Sequence, residues 1–212
     1  MNCFKFFPLL NFINFKNLKN IMNFTNCISR FLLTSGMCLV VFCAAPLKQF
    51  YPDTYYPEDK IYENKPLHFV FKFQGNWVLF TDPNEMDKGS KELAATMAKS
   101  GAELLFVGAT VEGMHGARGI AVNFNEPPHE YAERIRAINR NEVQDDQGLT
   151  DMVLGNNAMV KWVYDKADFR FAEFFFTIDT YDIRISFWSH SSLFDKFLPV
   201  YEQMMSSLEV TR

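Results

Sequence analysis

The stretch "FRFAEFFFTIDTYDIRISFW", residues 169–188, contains two apolar runs separated by Asp179-Thr180. Read as a hairpin, it sets Ile178 opposite Tyr181, Phe176 opposite Ile183, Phe174 opposite Ile185 and Ala172 opposite Phe187. One face is then wholly apolar, and slipping either strand by one residue would turn that face outward. The other face carries Phe171, Glu173, Phe175, Arg184 and Trp188.

Working upstream, "NAMVKWVY" (157–164) reads as a third antiparallel strand. A five-residue connection, residues 165–169, pairs Val160 with Phe174, Trp162 with Ala172 and Lys161 with Glu173. Lys161, Glu173 and the diagonal Arg184 then form a charged row on a face otherwise made of Met159, Val163, Phe171, Phe175 and Trp188. The expected ligand or partner face is therefore Lys161, Glu173, Arg184, Phe171, Phe175 and Trp188. The same row also serves as ordinary cross-strand charge pairing beneath a covering helix, each pair contributing about 0.2–1 kcal/mol.

Downstream, "SSLFDKFLPVYEQMMSSLEV" (191–210) places Phe194, Phe197, Leu198, Tyr201, Met204, Met205 and Leu208 on one helical stripe, with Ser191 or Ser192 as cap. Farther upstream, "HFVFKF" (68–73) and "WVLF" (77–80) read as a strand pair turning at Gly75-Asn76. A helix ends at Gly101, strands occupy 102–111 and 119–124, and a second helix runs from Asn125, its expected cap, to Ile138. The acidic stretch "NRNEVQDDQGLTD" reads as a long loop. The class expected is α+β, an antiparallel sheet covered by helices on both faces.

That order of elements, with "FKFQGNW" (71–77), "TIDTYDIRISFW" (177–188) and the closing "FDKFLPVYEQMMSSLEV" (194–210), resembles the PsbP-like fold, an α/β/α sandwich. The resemblance implies a binding or assembly factor, in several members attached to a membrane as a lipoprotein.

The chain has 212 residues and four cysteines, none beyond Cys43. Residues 1–49 contain five basic residues and no acid, whereas from Ala44 onward 17 basic residues face 25 acidic ones, a net charge of −8. So acidic a domain repels phosphate backbones, and no nucleic-acid partner is expected. From Met22, "MNFTNCISR" is a short basic region and "FLLTSGMCLVVF" an apolar core of export-signal length, which makes Met22 an alternative start to Met1. Three readings stand. "VVFC" (40–43) resembles a lipobox with Cys43 as the lipid anchor, although Phe42 occupies a position normally held by a small residue; cleavage after Ala44-Ala45 is ordinary signal processing; and the uncharged run 31–47 is a retained anchor. All three place the domain outside the cytoplasm, in a bacterial cell envelope. Residues 1–43 are then a leader or anchor, 44–66 a tether, and 67–212 a single α+β domain.

The domain shows no "GxSxG", "HExxH" or P-loop pattern. No catalytic residue, metal or cofactor is expected, and the function read from the sequence is a membrane-tethered binding or assembly-accessory protein whose partner is another envelope protein. The alternative is an envelope hydrolase using His115, His129 or His190 with Asp145 or Asp146. His129 and Glu133 have metal-ligand spacing near Glu126, but acids in a first helical turn already complement the helix dipole.

Overall fold

The protein is described as a computed structural model covering residues 55–82, 85–86 and 88–211. The leader readings and Cys43 fall outside the described residues. Within them the order is β1 (Tyr55–Tyr56), β2 (Ile61–Asn64), β3 (Phe69–Lys72), β4 (Trp77–Phe80), α1 (Lys88–Lys99), β5 (Ala102–Thr110), β6 (His115–Val122), α2 (Pro128–Asn139), β7 (Asp146–Leu154), β8 (Asn157–Lys166), β9 (Phe169–Ile178), β10 (Tyr181–His190), α3 (Ser191–Ser206) and β11 (Glu209–Val210). The strands form a seven-stranded sheet, β4-β5-β6-β10-β9-β8-β7, and a four-stranded sheet, β1-β2-β3-β11. Their pairings are antiparallel. The class is α+β, as expected.

The β9–β10 hairpin has the register that its apolar alternation demands: Ile178 pairs with Tyr181, Phe176 with Ile183, Phe174 with Ile185 and Ala172 with Phe187. Phe174, Ile185 and Phe187 are fully buried. At about 1.5–3 kcal/mol for each large apolar side chain removed from water, a slipped register has no comparable alternative.

The β8–β9 pairing differs by one residue from the expected one. Val160 pairs with Phe175, Lys161 with Phe174, Trp162 with Glu173 and Val163 with Ala172. The connection is the two-residue turn Ala167-Asp168, with Ala167 in the left-handed region at φ 53°. Alternation could not choose between the registers because β8 is apolar on both faces, and Ala-Asp carries no hairpin-turn signature.

The segment expected to be a tether as far as residue 66 folds into the domain from Tyr55. Tyr62 and Phe69, Phe71 and Phe73 are at most 1% exposed. Phe69 meets Phe176 at 6.1 Å and Phe73 meets Phe187 at 6.4 Å between ring centroids, so the small sheet packs on the Phe187 side of the large one. Tyr201 of α3 stacks on Phe187 at 5.0 Å on that same side. Cover there is shared between α3 and a second sheet, where the sequence pattern predicts helices alone. By strand alternation Phe175 projects oppositely, and Tyr131 of α2 packs edge-on against it at 5.4 Å.

Three smaller expectations are corrected. β3 and β4 do not pair with each other: β3 lies between β2 and β11, β4 pairs with β5, and the turn at Gly75 carries the chain from one sheet to the other. The acidic "loop" contains β7, a polar edge strand. The helix caps also differ. His190 caps α3, accepting the Ser192 amide, and α2 begins after Pro127 without a side-chain cap, while Asn125 turns the chain at φ 56°.

Candidate functional site

Because directly paired residues share a face, the registers define rows across the large sheet. One row runs Phe80, Val107, Arg118, Ser186, Glu173, Trp162. Its neighbour runs Val78, Ala109, Gly116, Trp188, Phe171, Tyr164. Both lie on the α2 side. Toward β8, this face is closed: Trp162, Tyr164, Phe171 and Phe175 form a buried cluster with Tyr131 and Ala132 of α2. Toward β4 it opens, with Phe80 39% and Val78 46% exposed. Val107, Ala109 and Trp188 are half-buried between these two ends.

Glu173 sits at the boundary and is 0% exposed. Its Oε1 accepts from Ser186 Oγ at 3.0 Å and Tyr164 OH at 3.2 Å. Arg118 Nη2 lies 3.4 Å from Oε1 and Arg184 Nη1 3.4 Å from Oε2. Burial pushes the Glu173 carboxyl up, but Arg184, Arg118, Ser186 and Tyr164 together outweigh it and hold it below the ordinary glutamate value. Burial and the neighbouring carboxylate push the Tyr164 phenol well up, so this hydroxyl is a donor at neutral pH. Two cations thus share one carboxylate, and the Nε of Arg184 is buried with no hydrogen-bond partner.

Of the residues read as a ligand or partner face, the structure brings Glu173, Arg184, Phe171, Phe175 and Trp188 to one side. Phe171, Glu173 and Phe175 are buried, which leaves Arg184 and Trp188 partly accessible. Lys161 belongs to the opposite face, a consequence of the one-residue register difference, and its Nζ pairs with Glu202 Oε1 of α3 at 2.6 Å. Arg118 takes its place in the charged row. The sequence pattern places Arg118 in the connection before the expected strand 119–124, because β6 begins at His115 in a run of Gly and Ala with little strand character. A lone Arg flanked by Gly116, Ala117 and Gly119 was its only mark.

Of the residues of the hydrolase alternative, His115, His190, Asp145 and Asp146 are each engaged with other partners and not with one another. His115 Nδ1 is 2.7 Å from Tyr201 OH on the other face of the sheet, and His190 caps α3. Asp146 accepts from Trp162 Nε1 at 2.9 Å and Arg136 Nε at 2.7 Å, and Asp145 from Arg170 at 3.2 Å. Asp146 lies four strands from His115, about 19 Å at normal strand spacing. Glu126 is engaged by Arg134 and Glu133 by Arg136, at 3.0 and 3.4 Å. Among the described residues no group of three or more metal-ligating side chains comes together.

No protein-family model and no curated protein sequence matches the chain. In structure it is similar to the solution structure of the cyanobacterial PsbP, CyanoP, from Synechocystis, with a TM-score of 0.51 over 71% of this chain and 91% of that one. The fold is PsbP-like. Only 10% of aligned residues are identical, so the PsbP-like resemblance is one of architecture. LpqN, involved in cell envelope biogenesis of Mycobacterium tuberculosis, is also similar, with a TM-score of 0.43 and 7% identity over 68% of this chain and 83% of that one. Among the described residues of this PsbP-like chain, no helix is long and apolar enough to cross a membrane.

Proposed function

We propose that this protein is a non-catalytic binding or assembly-accessory module of a bacterial cell envelope, held at a membrane through its N-terminal segment, by a lipid on Cys43 or a retained helix, with the domain outside the cytoplasm. The observation that carries the binding role is the half-open face of the seven-stranded sheet. Val78 and Phe80 are exposed beside Val107, Ala109 and Trp188, while the continuation of the same rows is sealed by α2. A soluble surface rarely leaves adjoining large apolar side chains uncovered without a partner to cover them. The partner of this reading is another envelope protein, because the face is a broad sheet surface with a charged centre.

The test is a photo-crosslinking residue placed at position 80, 107 or 153 of the full chain in its native membrane. Val153, 70% exposed on the far edge strand, is the control. Crosslinks to one protein from positions 80 and 107 but not 153 support the reading. Equal labelling at all three, or none, removes it. Mass spectrometry of the mature N-terminus decides the anchor: a diacylglyceryl mass on Cys43 supports the lipid, and an intact 31–47 segment the helix.

A further inference from the structure

We propose that Arg118 and Arg184 form a recognition site for a carboxylate carried by an extended, otherwise apolar segment of the partner protein, a reading that deepens the docking face above and rests on it. The first support is charge. Two guanidiniums lie beside the single carboxylate of Glu173, both at 3.4 Å, the long end of the hydrogen-bond range. Asp182, two residues from Arg184 on the same face of β10, accepts the Glu126 amide at 3.1 Å and Thr177 Oγ1 at 3.4 Å, and Glu126 holds Arg134. Neither acid hydrogen-bonds Arg118 or Arg184, so among the described residues Glu173 is the one carboxylate in direct contact with the two cations.

The second support is unused donor capacity. Arg118 donates through Nε to Ser186 at 3.5 Å and through Nη2 to Glu173, while Arg184 donates through Nη1 alone. Most N–H groups of the two guanidiniums have no acceptor among the described residues, and the Nε of Arg184 is both buried and unpartnered. An incoming carboxylate supplies acceptors in the geometry that guanidinium forks match best.

The third support is the setting. Val107 is directly across the pairing from Arg118, Phe80 is one strand farther, and the Trp188 ring lies on the neighbouring row. From Arg118 to Phe80 is two strand spacings, about 10 Å, the reach of three extended residues. The matching segment, extended as polyproline II with three residues per turn at about 3.1 Å each, has an acidic residue three positions from a large apolar one on the same side. Arg118 and Arg184 side chains are 18% and 11% exposed, so the charge is reachable yet weakly screened.

The probe is 3-phenylpropionate, with its amide as the neutral counterpart, titrated into the full chain in detergent with the Trp188 indole NMR signal as readout. The signal is assigned by its loss in Trp188→Phe. A saturable shift with the carboxylate and binding at least tenfold weaker for the amide support the site. In Arg118→Gln the carboxylate should bind at least tenfold more weakly. Val107→Asp, which keeps Arg118 and Glu173 and places a carboxylate across from Arg118, should abolish the response while the chain stays folded. Equal binding of acid and amide, no shift with either, or an undiminished response in Val107→Asp overturns the inference. A partner that crosslinks at position 80 through a segment lacking acidic residues leaves the docking face standing and the carboxylate site refuted.

Discussion

Trp188 lies on Gly116: a Cβ built on that glycine would come within 2.2 Å of Cε2 and Cζ2 of the indole. The two residues are direct cross-strand partners, so the ring reaches over the backbone of β6 toward the open side of the sheet. Gly116→Ala should displace Trp188 and lower stability by about 1–3 kcal/mol, the usual cost of overpacking. Urea unfolding gives the loss, and the Trp188 indole resonance should move with it. An unchanged indole signal would mean that the ring is not seated there.

Glu173 should make stability depend on acid. Its folded pKa is depressed, so its contribution is complete above the unfolded glutamate value and is lost as pH falls through the lower folded value. Glu173→Gln leaves Arg118 and Arg184 without a counter-charge and should cost about 3–5 kcal/mol at pH 7, the range for breaking a buried pair. The difference between variant and parent should shrink toward pH 3. A constant difference across that range would count against a charged Glu173.

Glu103 should behave in the opposite sense. Burial raises its carboxyl to about 7. Its stabilising protonation is complete below the unfolded value and lost as pH rises through about 7. Glu103→Gln should therefore be neutral near pH 4 and stabilising at pH 8, by about 1 kcal/mol once solvent screening of this half-buried group is allowed for. Thermal unfolding at the two pH values checks it, and equal effects at both would be the contrary result.

Ala167 sits in the left-handed region at φ 53°. An L-residue with a Cβ is strained there, and glycine is not, although glycine costs more conformational entropy on folding. Ala167→Gly should stabilise the protein by about 0.5–1 kcal/mol net. A destabilised variant in denaturant unfolding would argue against this turn and against the β8–β9 register it sets.

Lys161→Ala provides the contrast with the charged row. Lys161 pairs with Glu202 at 2.6 Å on the face opposite Arg118. The substitution should cost no more than about 1 kcal/mol. Titration with 3-phenylpropionate should give the parent affinity, and a tenfold weakening would move the site to the wrong side of the sheet.

The β9–β10 hairpin was legible because each strand has one wholly apolar face, so only one register buries both. The same criterion failed one strand away, since Val160 and Trp162 on one side of β8 and Met159 and Val163 on the other are all buried. That single residue exchanged Lys161 for the space now filled beside Arg118. The small sheet was not legible because β1 and β11 are two residues each and β2 lies in a Tyr- and charge-rich segment. Such strands are defined by what they pack against, here the Phe69 and Phe73 rings, and not by a periodicity of their own. Glu173 and Arg184 were found from the hairpin, whereas α2, which seals Phe175 and Phe171, could not be placed over them from its own pattern.

The outermost strand of the small sheet is the two-residue β1, paired through Tyr55 with Tyr62 and Tyr56 with Ile61. Any pull along the chain from the N-terminal side enters the domain there, at the open end of a hairpin. Load applied in that direction peels pairs one at a time instead of shearing a whole ladder, and it bears at once on the contacts of Tyr55, the Phe73 ring at 6.0 Å and the Trp77 carbonyl of β4, which accepts from the Tyr55 hydroxyl at 3.4 Å. Such a pull is thus taken up first by the β1–β2 pairs of the small sheet.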